Sequence, residues 1–181
     1  SVDIVPGTWG RLEAGNQFTS SIYVTVPPGQ DPGDYWTVVR ATSSNAEYDD
    51  MQLTVQVPPN STWIRTPESF STASDPILAL LNTTDVIGLI NVTNIGNLRI
   101  AIKVYKTENG SDMILAEPEF FEVGKQVMRN TTISYIIPVA KTQGMYYVKR
   151  LLRNDTADPD EWVTDLWLNV TDLPPVIEDI N

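Results

Sequence analysis

Apolar and polar residues alternate with a period of two along much of this chain. In residues 51–57 every odd-numbered residue is apolar and every even-numbered residue is polar, which is the pattern of a β-strand with one buried face. Residues 18–26 repeat it, and further strands are predicted at 62–71, 86–92, 98–105, 133–137, 146–152 and 162–170. Because segments rich in Pro, Gly, Asn and Asp separate these strands, the chain is predicted to be all-β, as a sandwich or barrel.

One segment, residues 75–81, resembles the start of a helix instead. Pro76 stands at the first position and five apolar residues follow it, and Pro is favoured at the first position of a helix. The run is too short for more than a turn or two. We therefore expect it to connect two strands.

The second half of the chain repeats features of the first half in the same order. The first copy contains Gly15, Pro27, Gly33 and Tyr35, and the second contains Gly124, Pro138, Gly144 and Tyr146. The spacings differ by about two residues, which hairpin loops absorb. Such internal repetition predicts an array of like domains.

The second copy is preceded by predicted strands that have no counterpart before the first copy. We therefore predict tandem immunoglobulin-like β-sandwiches: the C-terminal half of one at 1–59, a complete one at 60–172 and a linker into a further domain at 173–181. A half sandwich leaves a sheet edge and an apolar face uncovered. Two explanations stay open: the chain is a fragment of a longer polypeptide, which we favour, or a neighbouring subunit donates the missing strands.

The acceptor motif for N-linked glycan, Asn-x-Ser/Thr, is in excess. Seven of the 12 Asn residues stand in it, whereas chance predicts roughly two. The excess predicts an extracellular, cell-surface chain that carries N-linked glycans. Because the chain has no Cys, packing alone must stabilise it, a combination that fits archaeal surface proteins. The seven acceptors are Asn60, Asn82, Asn91, Asn109, Asn130, Asn154 and Asn169.

Composition excludes several classes of function. The net charge of −11 disfavours nucleic acid as a partner, and no apolar run is long enough for direct membrane insertion. The absence of His and Cys removes Ser-His-Asp and Cys-His catalysis and nearly all zinc and copper sites. Carboxylate pairs such as Glu119 with Glu122 remain, but a narrow sandwich offers little cleft for them. We therefore expect no enzymatic activity.

Calcium is the one candidate cofactor. Asp155, Asp158, Asp160 and Glu161 fall in one predicted loop, and calcium binds several carboxylate oxygens at once. The loop lacks the glycine of an EF-hand, and a solvated acidic loop is the simpler interpretation. Weaker acidic pairs of the same kind are Asp31 with Asp34 and Asp49 with Asp50.

Aromatic residues raise the possibility of sugar binding, since a planar row of rings can stack on a pyranose. Alternation in 162–170 places Trp162 and Trp167 on opposite faces of a strand, so packing in the core or between domains is expected instead. Tyr35 and Tyr146 follow Gly33 and Gly144 closely. We expect each tyrosine to anchor the core or to cap it through its hydroxyl, as in a tyrosine corner.

Residues 91–97, with the sequence Asn-Val-Thr-Asn-Ile-Gly-Asn, resemble a corner found in CARDB-like and NEW3-like immunoglobulin-fold repeats. The Gly, Pro and Gly-x-Tyr features of both copies are similar to the later half of those repeats. This resemblance implies a spacer, adhesion or lattice module on the exterior of an archaeal cell. At this corner, Gly96 is expected to adopt positive φ, which glycine does at little cost.

The leading hypothesis is a structural, non-catalytic module of an S-layer, sheath or filament coat. Its expected partners are neighbouring domains or copies of the same surface protein, together with N-linked glycans. One alternative is an adhesin or a carbohydrate-binding accessory module of a secreted protein. Another is a strand-complemented pilus subunit.

Overall fold

The computed structural model describes residues 1–154 and 161–172. The chain divides into two compact units, Ser1–Pro59 and Asn60–Asn181. Apart from one 3-10 turn at Ser111–Met113, the regular structure of the described residues is β-strand. Within this part of the chain, no helix has the length and apolar character that a membrane crossing needs. The all-β prediction is confirmed.

The described residues contain 13 strands. In the first unit they are β1 (Val2–Val5), β2 (Ser21–Val24), β3 (Gly33–Ser43) and β4 (Ala46–Val57). In the second unit they are β5 (Trp63–Thr66), β6 (Ile77–Leu80), β7 (Thr84–Asn94), β8 (Ile100–Thr107), β9 (Ile114–Glu117), β10 (Phe120–Val123), β11 (Met128–Ile136), β12 (Gly144–Asn154) and β13 (Glu161–Thr171).

The second unit is an immunoglobulin-like sandwich of two sheets. The five-stranded sheet has the order β10-β8-β12-β13-β6, and the four-stranded sheet has the order β5-β7-β11-β9. Neighbouring strands are antiparallel except β13 and β6, which are parallel. The chain passes from one sheet to the other at Pro118: β9 before it pairs with β11, and β10 after it pairs with β8.

Alternation along the strands builds the core between these sheets. In β11, Ile133 and Tyr135 are buried while Thr132 and Ser134 are only half-buried. Each fully buried aliphatic side chain stabilises the fold by about 1.5–3 kcal/mol. The largest side chains that are fully buried are Trp63, Ile90, Ile100, Ile102, Met113, Ile114, Ile133, Ile137, Leu152, Leu166 and Leu168.

The expectation for residues 75–81 is wrong, because this segment contains a strand. Strand β6 pairs in parallel with β13, with Ala79 opposite Val170. Both of those residues are fully buried. The apolar run is therefore explained by sheet pairing and core packing.

The first unit consists of two separate hairpin-like pairs. Strand β1 pairs with β2, and β3 pairs with β4, all antiparallel. The long pair β3–β4 carries a register shift between Ala41 and Ser43. No strand joins the two pairs into larger sheets in this unit, whose residues are all described.

The strand registers of the first unit match those of the later strands of the second unit. Gly33 pairs with Val57 in β3–β4 as Gly144 pairs with Val170 in β12–β13. By the same comparison, β1–β2 corresponds to β9–β11: Val2 pairs with Val24, and Ile114 pairs with Tyr135. Strands β1 to β4 therefore match β9, β11, β12 and β13. No strand of the first unit matches β5–β8 or β10.

Candidate interaction face and glycosylation acceptors

The first unit contains no counterparts of β5–β8 or β10, and its inward side is open. We call the inward side of β2, β3 and β4 the open face. Val24 is 40% exposed and Val26 is 44% exposed, whereas the matching residues of the second unit, Tyr135 and Ile137, are 7% and 1% exposed. The same kinds of side chain are therefore present at both places. They are covered in the second unit and uncovered in the first.

A shallow groove of about 200 Å³ runs along the open face between the two strand pairs, with Val24, Tyr35 and Val55 among its lining residues. Residues of β2, β3 and β4 line it. In the second unit β11, β12 and β13 each pair with strands on both sides, whereas β2, β3 and β4 each pair on one side only. An apolar groove beside unpaired edges has the chemistry to bind further β-strands.

A tyrosine corner supports each unit, as the sequence predicted. The hydroxyl of Tyr35 donates a hydrogen bond to the carbonyl oxygen of Asp31 at 2.8 Å. Tyr146 donates the equivalent bond to Thr142 at 2.7 Å. The glycine two residues earlier has φ of 147° in the first unit and 143° in the second, a conformation that favours glycine.

The corner at residues 91–97 is held by Asn94. Its fully buried side chain donates hydrogen bonds to the carbonyl oxygens of Leu98 and Val123 and accepts one from the amide of Gly96. Satisfying three backbone groups at once fixes the path of the chain between β7 and β8.

The explanation predicted for Gly96 is wrong. Gly96 does not have positive φ. A Cβ atom at this position would lie 2.2 Å from the carbonyl oxygen of Asn60. That oxygen accepts hydrogen bonds from the amides of Asn97 and Leu98. Glycine is required here because two backbone segments approach each other closely.

The seven predicted glycan acceptors all lie in the second unit and differ in exposure. Asn60, Asn82, Asn109 and Asn130 are exposed, and Asn91 and Asn169 are half-buried. Asn82 lies in the turn after β6 with φ of 59°, and Asn109 lies in the turn after β8. These six side chains are on the surface of the folded unit, where a glycan has room.

Asn154 is a different case, because it is fully buried at the end of β12. A glycan attached to a buried amide nitrogen cannot be accommodated by this fold. We therefore correct the sequence prediction and remove Asn154 from the candidate acceptors. Its position two residues after Leu152, on the same inward side of a strand, was a signal of burial in the sequence.

Two acceptors face each other across neighbouring strands. Asn91 on β7 is directly opposite Asn130 on β11. Opposite residues of an antiparallel pair have Cβ atoms about 4.5–5.5 Å apart. Thr66 of β5 continues the same row on the other side of Asn91.

The predicted calcium ligands Asp155, Asp158 and Asp160 lie outside the described residues. Glu161 begins β13, and its side chain is also outside that description. Within residues 1–154 and 161–172, no three His, Cys, Asp or Glu side chains form a group that suits a metal ion. Calcium binding at the loop stays a prediction.

Three of the other acidic residues named above, Glu119, Glu122 and Asp50, form surface ion pairs. Glu119 is 3.1 Å from the ammonium of Lys106, and Glu122 pairs with Arg99. In the first unit Asp50 forms a two-point pair with Arg40, and the hydrogen bond from Arg40 lowers the pKa of Asp50. These carboxylates have ordinary structural roles on the surface.

The aromatic residues of the described chain lie in different environments, and Trp36 is exposed. Trp63 is buried in the core. Trp9 stacks on Phe18 with ring centroids 4.5 Å apart, and Trp167 stacks on Tyr147 at 4.8 Å. The side chain of Trp162 lies outside the described residues. This distribution favours packing over a flat platform for sugars.

The Tyr147 hydroxyl donates a 2.5 Å hydrogen bond to the carboxylate of Asp165. This bond is the main cause that raises the pKa of Tyr147 to about 12, with burial as a second cause. The protonated phenol of Tyr147 therefore links the outer side of β12 to β13 through this hydrogen bond. This pair could not be predicted from the sequence, because it depends on strand register.

No protein-family model matches the chain, and no curated protein matches its sequence. Among solved structures, it is similar to the ASH/PapD-like domain 7 of human CEP192, with a TM-score of 0.52 at 10% identity over 74% of this chain and 99% of that one. It is also similar to a family 123 glycoside hydrolase from Clostridium perfringens, with a TM-score of 0.47 at 11% identity over 54% and 22% of the two chains. The periplasmic chaperone SfaE gives 0.44 at 8% identity over 63% and 61%.

The likeness to the PapD-like domain shows an immunoglobulin-like β-sandwich fold and no particular activity. An immunoglobulin-like sandwich of this kind is compatible with a non-catalytic structural module. The resemblance to CARDB-like and NEW3-like repeats stays a prediction.

Proposed function

We propose that this chain is a structural, non-catalytic part of an extracellular, N-glycosylated surface protein, of the S-layer, sheath or filament-coat kind. The observation that carries the proposal is the distribution of the acceptor motifs. Six of the seven have their Asn exposed or half-buried on a folded sandwich. A chain that uses these motifs must enter a compartment where N-linked glycans are attached.

The repeated half-domain supports a mechanical role. Two units with the same strand order and the same tyrosine corner are typical of an array, in which each domain adds length and stiffness. The partners in this proposal are neighbouring domains or copies of the same protein. Acidic side chains and glycans keep the surface hydrated.

Surface chemistry supports the non-catalytic part of the proposal. Glu119 and Glu122 each neutralise a basic side chain on an exposed surface. Both carboxylates are exposed, whereas the acids and bases of catalytic sites are commonly held in a cleft.

Glycopeptide mapping of the protein purified from its own host tests the proposal. We expect glycan on several of the six accessible acceptors and none on Asn154. Unmodified asparagine at all six positions would contradict the surface-glycoprotein proposal.

A strand-complemented subunit is the second candidate, and the open face favours it. Strands donated by another polypeptide would cover Val24, Val26 and Tyr35 as β7 and β8 cover the matching half of the second unit. The strands that cover the open face come either from a donor subunit or from the same, longer polypeptide. The intact mass after glycan removal distinguishes these two sources. A mass near 20.2 kDa for an assembled protein means a donor subunit, and a much larger mass means that one longer polypeptide supplies the strands.

A further inference from the structure

The outer side of the four-stranded sheet in the second unit carries several exposed aliphatic side chains. We call this side the outer sheet face. Six of its aliphatic side chains are exposed. They are Ile64, Val86, Leu89, Leu115, Met128 and Ile136. The other outward positions on the described strands of this sheet are Thr, Ser and Asn, together with one charged residue, Glu117.

An exposed apolar area of this kind needs an explanation. Charged residues make up 19% of the chain, and one of the outward positions of this face, Glu117, is charged. Contiguous apolar patches on soluble proteins mark contact sites or aggregation hazards. The sheet edges alone do not account for it, because the exposed residues lie on inner as well as edge strands.

Two glycan acceptors stand among these aliphatic side chains. Asn91 and Asn130 are opposite each other on the two central strands. Leu89 lies two residues from Asn91 on the same side of β7, and Met128 lies two residues from Asn130 on the same side of β11. In the neighbouring row, Ile64 pairs with Thr93, which in turn pairs with Met128.

We infer that N-linked glycans on Asn91 and Asn130 together cover the outer sheet face. Glycan attached at two adjacent central positions extends over the rows on either side, and its less polar ring surfaces contact Leu89, Met128 and Ile64. The face is then a solvated, glycan-covered surface that other protein does not contact. This inference rests on the proposed function, since it requires N-glycosylation.

The location of these acceptors supports a specific role. Acceptor motifs are expected in surface loops, and Asn60, Asn82 and Asn109 fit that expectation. Asn91 and Asn130 instead occupy central strands, where branched aliphatic residues and Thr are the usual choice. Asn is a poor strand former, so Asn at both of these opposite positions lowers the stability of the sheet. Glycans that cover the apolar side chains around them offset that loss.

The test compares two double variants of the full chain expressed in its glycosylating host. N91Q/N130Q removes both acceptors from the outer sheet face. N82G/S111A removes two acceptor motifs elsewhere and serves as the matched control: glycine accepts the φ of 59° found at Asn82, and the Ser111 change eliminates the motif of Asn109. Sedimentation and binding of an apolar fluorescent dye are measured for each, with glycopeptide mapping of the unmodified protein.

We expect glycan at both Asn91 and Asn130 in the unmodified protein. N91Q/N130Q should lose its monomer peak and gain dye fluorescence, while N82G/S111A should keep the behaviour of the unmodified protein. Adding V86T, L89T and M128T to N91Q/N130Q should restore the monomer, because threonine suits a strand and removes the apolar surface. This five-substitution variant separates an uncovered face from a folding defect: if it aggregates as well, the inference is overturned.

Other results separate the inference from the proposed function. If Asn91 and Asn130 lack glycan while other acceptors carry it, the glycan cover is overturned and the surface-glycoprotein proposal stands. A second copy of the chain packed on this face would then be detected as a dimer in the unmodified protein. If both carry glycan and N91Q/N130Q behaves like the control, the cover is again overturned. If all six accessible acceptors are unmodified, the proposed function itself fails.

Discussion

The hydroxyl of Tyr146 donates a 2.7 Å hydrogen bond to the carbonyl oxygen of Thr142, four residues earlier in the chain. Tyr35 makes the same bond, at 2.8 Å, to Asp31, again four residues earlier. The two corners belong to units whose strands share one register. Their difference lies in what surrounds them, since one unit has a closed core and the other has an open face.

The first prediction concerns these two corners. Y146F removes the hydrogen bond to Thr142 and should lower the free energy of unfolding of the second unit by about 1 kcal/mol. Y35F is the matched control, because it removes the equivalent bond in the other unit and should leave that transition unchanged. Urea unfolding followed by circular dichroism measures both. If Y146F and Y35F lowered the stability of the second unit equally, the claim that the two units unfold separately would be contradicted.

A second prediction concerns the close approach at Gly96. In G96A the new methyl group meets the carbonyl oxygen of Asn60, so the second unit should lose about 1–3 kcal/mol of stability. G124A is a suitable control because the nearest atom to its Cβ, on Val127, is at an ordinary 3.6 Å. Thermal unfolding of both variants is the measurement. A neutral G96A would show that the two backbone segments separate easily.

Asn94 should be among the most sensitive polar positions of the second unit. N94A leaves the carbonyl oxygens of Leu98 and Val123 and the amide of Gly96 without the bonds that the side chain makes. Burying such groups unsatisfied costs about 1–3 kcal/mol each. We expect a loss of about 3 kcal/mol or more in urea unfolding. A loss below about 1 kcal/mol, the size of a single ordinary hydrogen bond, would mean that water replaces the side chain.

The Tyr147–Asp165 pair predicts a specific dependence on alkaline pH. The pKa of Tyr147 is about 12 in the folded chain and the ordinary value is 10.0. Between these values the folded state keeps a proton that the unfolded state loses, so the free energy of unfolding decreases as pH rises through this window. Below pH 10 the contribution is fully present. Ultraviolet titration should show one phenol ionising later than the rest.

Asp165→Asn provides the control for that titration. The amide cannot hold the phenol proton as the carboxylate does, so the late ionisation should shift back toward pH 10. An unchanged titration in D165N would assign the late ionisation to another tyrosine.

Much of the fold could be predicted from the sequence because most strands are long and half-buried. The alternation in 51–57 lies within β4. The alternation in 133–137 coincides with the last part of β11, which ends at Ile136. Short strands left weaker signals: Pro118 divides the stretch that forms β9 and β10 into two four-residue strands in different sheets. Strand β6 has no alternation to detect, because all four of its residues are apolar.

The candidate sites were harder to predict because they depend on register between strands. An acceptor motif covers three residues and contains no information on burial, so Asn154 was indistinguishable from Asn130 by motif alone. The opposition of Asn91 and Asn130 and the bond between Tyr147 and Asp165 arise only once strands are paired. Alternation within one strand does not fix which residue of the next strand stands opposite.

The central claim is that the first unit is half of the sandwich that the second unit shows complete. Residue-resolved hydrogen exchange on the 181-residue chain tests it most directly, because amide protection reports the stability of each strand separately. We predict slow exchange in β11 and β12 and exchange faster by orders of magnitude in the matching strands β2 and β3. Equal protection of both pairs in a monomer would contradict the claim, since the first unit would then be stable without the missing strands.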